Sequence, residues 1–295
     1  MNKNDMSLKK NEIKRIDIFP HSGSKIPEEV EPYIRKDLSE KEISYTIEID
    51  RDSGLEGVID SYREKPADGQ LLMTYDYTKV LGNVNRLEPS RQVPDAPYKG
   101  EKIVRVDQEI RETLVEGYVL PWQRAVIETV SRHPEAIVVQ WHSMDIFGGG
   151  NATLKADTNG AKTLRPLGQI FTRGDAKKGS LLPYFPELVA DVVETQLLDE
   201  EVSKLAVKCL GEQISPLASK GRKVFVKDYP YRLFGDDGGK RVFGPSLLNL
   251  IDLANGRRKN KQLAFEVRKD IFGNQRATEV LRQTIDELVG NLLTC

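Results

Sequence analysis

Six short apolar runs punctuate the chain: "IDIF" (16–19), "LLMTYD" (71–76), "AIVVQW" (136–141), "LGQIFT" (167–172), "KVFVKD" (223–228) and "LAFEV" (263–267). Runs of this length, bounded by polar and turn residues, are strand-like. Between them lie longer stretches in which apolar residues return every three or four positions, which predicts helices over roughly 28–37, 53–64, 107–132, 186–212, 245–254 and 276–292. In the last of these, Val280, Leu281, Ile285, Leu288, Leu292 and Leu293 form a stripe suited to covering a core. Pro121 interrupts the long third pattern; with no N–H to donate, it predicts a kink or a split there. Strands alternating with helices predict an α/β fold, with a mixed, mostly parallel twisted sheet and helices on both faces.

Three segments, 87–102, 145–166 and 234–245, are rich in turn residues and predict long loops. Loops of that length inside a compact domain commonly bind a ligand or cover a site. The chain has 295 residues, enough for one large α/β domain over 15–295 behind a polar leader at 1–14. Hydrophobic residues make up 39% and charged residues 30%, a globular balance. The formal net charge is −1 and the basic residues are scattered. That argues against nucleic acid or an anionic membrane and for a small-molecule or peptide partner. No apolar stretch is long enough to span a membrane and the leader has no apolar core, so a cytoplasmic protein is expected. Cys209 and Cys295 have no CxxC spacing and are expected to be free thiols.

Chemistry concentrates in the histidines, of which there are three. His21 in "IDIFPHSG" and His142 in "VVQWHSM" each precede a serine and each leave an apolar run. In a parallel sheet both would emerge at the carboxyl edge, where α/β folds bind ligands. Two imidazoles and one carboxylate form a zinc site that keeps a position open for water, and "IEIDRDSG" offers Glu48, Asp50 and Asp52. A hydrogen-bonded core histidine is the structural alternative at each position. His133, in "SRHPE" at a helix end, reads as a capping or surface residue. Alternation in "LAFEV" turns Glu266 to the face opposite Leu263, Phe265 and Val267, and a carboxylate in so apolar a run is costly unless paired or used. Arg86, ending "GNVNR", has the planar fork suited to capturing a carboxylate or an oxyanion.

Taken in order, "FPHSGSKIP", "DSG", "NVNR", "WHSM", "DYPYR" with a following "GG", and "AFEV" resemble the N-formylglutamate amidohydrolase family, from about residue 16 to about 272. The resemblance implies a phosphorylase/hydrolase-like fold similar to that of zinc carboxypeptidases and aspartoacylases, with about eight strands between helices. It implies metal-assisted hydrolysis of an N-acyl amino acid such as N-formylglutamate, a reaction of histidine catabolism. His21, Asp52 and His142 would then hold Zn2+ or another divalent metal, with Asp50 as the alternate to Asp52. Glu266 would be the general base, and Arg86 would stabilise the oxyanion or anchor substrate with Asn85. Tyr231 and Arg232 are further candidates for the substrate pocket, while Ser22, Gln140 and Ser143 would support the ligands. Three positions depart from the pattern: Ser24 stands where zinc carboxypeptidases carry the glutamate of HxxE, Gln140 where an Asp precedes the second histidine, and Trp122 where a Tyr-His step is expected. A carboxypeptidase-like or peptidoglycan-fragment hydrolase, or a binding or regulatory homologue without turnover, are the competing readings.

Overall fold

The structure is a computed structural model that describes residues 12–84, 103–104, 108–144, 147–148, 163–164, 167–171, 173–175, 194–218, 225–227, 247–256 and 258–294. Its strands are β1 (Arg15–Phe19), β2 (Gln70–Thr74), β3 (Ile137–Met144), β4 (Phe147–Gly148), β5 (Thr163–Leu164), β6 (Gly168–Phe171), β7 (Arg173–Asp175), β8 (Glu194–Gln196), β9 (Phe225–Lys227) and β10 (Gln262–Arg268). The six predicted strands become one six-stranded mixed sheet in the order β2-β1-β3-β10-β6-β9. Four of its five pairings are parallel; only β10 with β6 is antiparallel. The expected count of about eight is thus six among the described residues, and the sheet is open. The remaining strands form two separate antiparallel pairs, β4 with β5 and β7 with β8.

Strand alternation divides the core into two layers. Phe19, Ile137, Val139, Trp141, Leu263, Phe265 and Val267 face one side, under the helices Leu55–Glu64, Glu200–Ile214, Lys269–Phe272 and Gln275–Thr294. Ile16, Ile18 and Val138 face the other, under Glu40–Asp50, Gln108–Leu114, Leu120–Arg132 and Leu247–Ala254. Helices therefore cover both faces, as the pattern predicted. The first layer also holds a buried polar network. Asp17 accepts from Trp141 Nε1 at 2.6 Å, Gln70 Nε2 at 2.6 Å and Arg15 at 2.8 Å, while Arg15 and Tyr62 both donate to Asp286. It ties three neighbouring strands to two helices with each charge opposed, the condition under which burying ions is tolerable.

Several elements differ from the sequence expectation. The predicted helix over 28–37 is a 3-10 turn, Glu28–Tyr33, which gives way at Ile34 to an isolated bridge with Val104. The predicted helix over 186–212 begins at Glu200, because 194–196 pair with β7 instead. The helix Glu40–Asp50 was not anticipated: its Ile43, Tyr45, Ile47 and Ile49 alternate as a strand would, yet Ser39 and Glu42 close a capping box at its start. At Pro121 the chain stays helical, and the missing bond is absorbed by a wider π turn at Val115–Val119 immediately before. Of the predicted loops, 87–102 and 234–245 lie outside the described residues, and within 145–166 only the β4–β5 pair is described. Among the described residues no helix is long and apolar enough to cross a membrane.

Candidate metal centre

Beyond β1 the chain turns through Pro20, and Ser22 Oγ donates to the Phe19 carbonyl at 3.1 Å to close the bend that presents His21. Gly23 is required there: a Cβ at this position would stand 2.1 Å from the backbone carbon of Asp76, two residues past the end of β2. Asp52 sits in the joint between two helices. Its N–H donates to the His21 carbonyl at 3.0 Å, and two residues later Gly54, at φ 92°, opens the helix Leu55–Glu64. Arg51 beside it pairs with Glu48 and Glu56, so its charge is directed away from Asp52. His142 lies inside β3 rather than beyond it, because pairing with β10 continues as far as Met144.

These three residues converge: His21, Asp52 and His142 are all buried, and one ligating atom from each lies within 4.8 Å of the others. Asp52 Oδ2 is 3.0 Å from His142 Nδ1 and 3.4 Å from His21 Nδ1, and the two rings are 5.2 Å apart. His21 Nε2 is 2.9 Å from Asn83 Oδ1. With that oxygen accepting, the ring proton sits on Nε2, and Nδ1 turns its lone pair on a carboxylate oxygen. Two lone-pair atoms facing each other in a buried site are repulsive unless a cation lies between. Ligands held about 2.0–2.1 Å from a tetrahedral ion are themselves about 3.3 Å apart, close to the separations found here.

Electrostatics point the same way. Burial, then the neighbouring Lys79, push the His21 imidazole down to about 4, against the pull of Asp52. Burial would raise the Asp52 carboxyl, but His21, His142 and Lys79 around it outweigh that effect and hold the group below the ordinary carboxylate range. At neutral pH the centre thus presents a neutral His21 and an ionised Asp52, the states in which these groups bind metals. The donor set fits Zn2+ or another divalent ion of the same preference.

Glu266 is the register partner of His142 across β10 and β3 and of Gln169 across β10 and β6. Paired residues share a sheet face, so the three form one row. Gln169 Nε2 donates to Glu266 Oε2 at 2.6 Å. Gln140 lies one pleat behind His142 on that face, fully buried, with its amide 3.5 Å from Gln262 Oε1. It therefore contacts another amide rather than supplying a charge to the histidine. Ser143 faces the opposite layer with its hydroxyl unpartnered, and Ser22 bonds the Phe19 carbonyl; neither side chain supports a ligand directly. Trp122 donates to the Thr74 carbonyl at 3.0 Å, tying its helix to the end of β2. His133 caps the end of the helix Leu120–Arg132, as expected. Asn85, Arg86, Tyr231 and Arg232 lie outside the described residues, and Asp50 is described only in its backbone, as the last residue of a helix.

Asn83 and Lys79 were not anticipated. Both sit in the segment after β2, where Thr78 is fully buried and its carbonyl accepts from Leu81 and Gly82. Lys79 is half-buried and close enough to act electrostatically on both His21 and Asp52.

No family model matches the chain, and no curated protein matches it. Among solved structures, the chain is similar to the gene product Atu2144 from Agrobacterium tumefaciens, with 15% identity, a TM-score of 0.59, and coverage of 96% of this chain and 91% of that one. At that identity the likeness is one of fold, and it extends over nearly the whole of both chains.

Proposed function

We propose that this protein is a metal-dependent amidohydrolase that cleaves the N-acyl amide of a small acidic amino acid, with N-formylglutamate as the substrate the motif order suggests. The observation that carries the reading is the convergence of two imidazoles and a carboxylate at one sheet edge, with Glu266 one strand away at the register of His142. His21, Asp52 and His142 would hold Zn2+ or another divalent ion. Once bound, such an ion supplies a Lewis acid and lowers the pKa of water towards about 7. Glu266 accepts the proton that water gives up as its oxygen bonds to the acyl carbon, and returns it to the amine nitrogen as the C–N bond breaks. The products are a carboxylate, formate for a formyl group, and the free amino acid. Lys79 attracts the anionic end of the substrate, and the motif assigns the same task to Asn85, Arg86, Tyr231 and Arg232.

A second reading, a binding homologue that keeps the metal and has lost turnover, is favoured by one observation. Gln140 puts a neutral amide where a charged partner would raise the basicity of the ligand. Metal analysis of protein purified without added metal, followed by Zn2+ titration and a formate-release assay, separates the readings. The expected result is bound ion and hydrolysis of N-formylglutamate, with Glu266→Gln retaining the ion while losing about 10²–10⁴-fold in kcat. Absence of bound transition metal together with no uptake of Zn2+ overturns the hydrolase; retained metal with no turnover on any N-acyl amino acid or peptide selects the binding homologue.

A further inference from the structure

Resting on the hydrolase reading, we propose that Gln169 is a positioning residue for the Glu266 carboxylate. The two are directly opposed in the antiparallel β10–β6 pair, and Glu266 is directly opposed to His142 in the parallel β10–β3 pair. Because β6 runs against its neighbour, it is the start of this strand that reaches the site edge, and Gln169 is its second residue. The side chain is fully buried and donates Nε2–H to Glu266 Oε2 at 2.6 Å, whereas its own Oε1 is buried with no hydrogen-bond partner. The amide orientation is dictated by chemistry: an ionised carboxylate only accepts, so the nitrogen must face it.

An unpartnered buried amide oxygen is destabilising, and an apolar side chain of similar length would fill this core position without that cost. The position is therefore accounted for by the donor rather than by packing. Tying down Oε2 fixes the rotation of the carboxylate and the side from which it takes up a proton. Held this way, Glu266 keeps its orientation in a row that begins at a metal ligand.

Gln169→Met removes the donor at nearly constant volume. The expected result is a kcat lower by about 10- to 100-fold with KM and metal content unchanged. The thermal midpoint should stay the same or rise, since the orphaned oxygen is also removed. In the Glu266→Gln background the same substitution should cause no further loss, because Gln169 acts through Glu266. In metal-free protein, one side-chain amide proton of Gln169 should be shifted downfield and slow to exchange in NMR spectra, and Glu266→Ala should abolish both features. An unchanged kcat in a folded, metal-loaded Gln169→Met protein, an equal loss in the Glu266→Gln background, or an amide that exchanges freely each overturns the proposal while leaving the hydrolase intact. A wild-type protein that neither binds metal nor hydrolyses any N-acyl amino acid overturns both.

Discussion

Asp52 shows how much one side chain can depend on its surroundings. Alone, a carboxylate at this depth would be driven towards its neutral form; with two imidazoles and Lys79 around it, it stays ionised. Lys79 is the half-buried cation of this group, and so the member that an anionic substrate can recruit. Lys79→Gln is expected to raise KM for an acidic substrate by about 10-fold, near 1.4 kcal/mol, with smaller effects on an uncharged N-acyl amine and on metal content. Parallel kinetics on the two substrates test this, and equal effects on both would remove Lys79 as the anionic anchor. The three residues that could hold a metal were legible in the sequence because histidine and "DSG" occur in an ordered series of motifs. Lys79 and Asn83 were not, because "YTKVLGN" reads as an ordinary turn. Their nearness to His21 is created by the pairing of β1 with β2, which joins residues more than 50 positions apart.

At the scale of elements, the two motif glycines are fixed by backbone demands rather than by chemistry. Gly54 holds φ 92°, and a Cβ there would lie 2.4 Å from Phe272 Cβ. Gly54→Ala is expected to cost about 1–3 kcal/mol from the backbone conformation alone, and more from the collision. Because Asp52 is two residues upstream, metal affinity should fall with stability; urea unfolding and Zn2+ titration of the same variant measure both. A variant as stable as wild type would show that this joint is not strained. The strands were read correctly because short apolar runs between turn residues leave few alternatives. The helix Glu40–Asp50 was not anticipated because Ile43, Tyr45, Ile47 and Ile49 recur every second position rather than at a helical period, and the signal that favours a helix, the Ser39–Glu42 box, is short and local.

For the molecule as a whole, the buried centre couples folding to pH. The His21 pKa is lowered from 6.5 to about 4 on folding. Between those values the unfolded chain binds the proton that the folded chain refuses, so stability is greatest above pH 6.5 and declines as pH falls towards 4. Asp52, lowered from 3.8, adds a further loss below that value. Metal-free protein is therefore expected to unfold at progressively lower urea from pH 7 to pH 4, and His21→Gln should flatten the curve between pH 6.5 and 4. An unchanged slope in the variant would assign the acid sensitivity to another group.

The sequence by itself determined the class of fold and the position of every strand in the main sheet, because hydrophobic periodicity and turn residues are local signals that survive without knowledge of partners. It also picked out His21, His142 and Glu266, whose residue types carry chemistry wherever they fall, but left Asp50 as an alternate to Asp52, and the fold is what brings Asp52 to both histidines. Only the tertiary structure decided that the sheet is six-stranded and that β6 runs antiparallel to β10, which brings Gln169 to Glu266. It alone faced the Nδ1 atoms of both rings towards one oxygen of Asp52 and turned Ser143 to the opposite layer. Those outcomes depend on strand order and register, which arise from contacts between residues distant along the chain and are invisible to any local pattern.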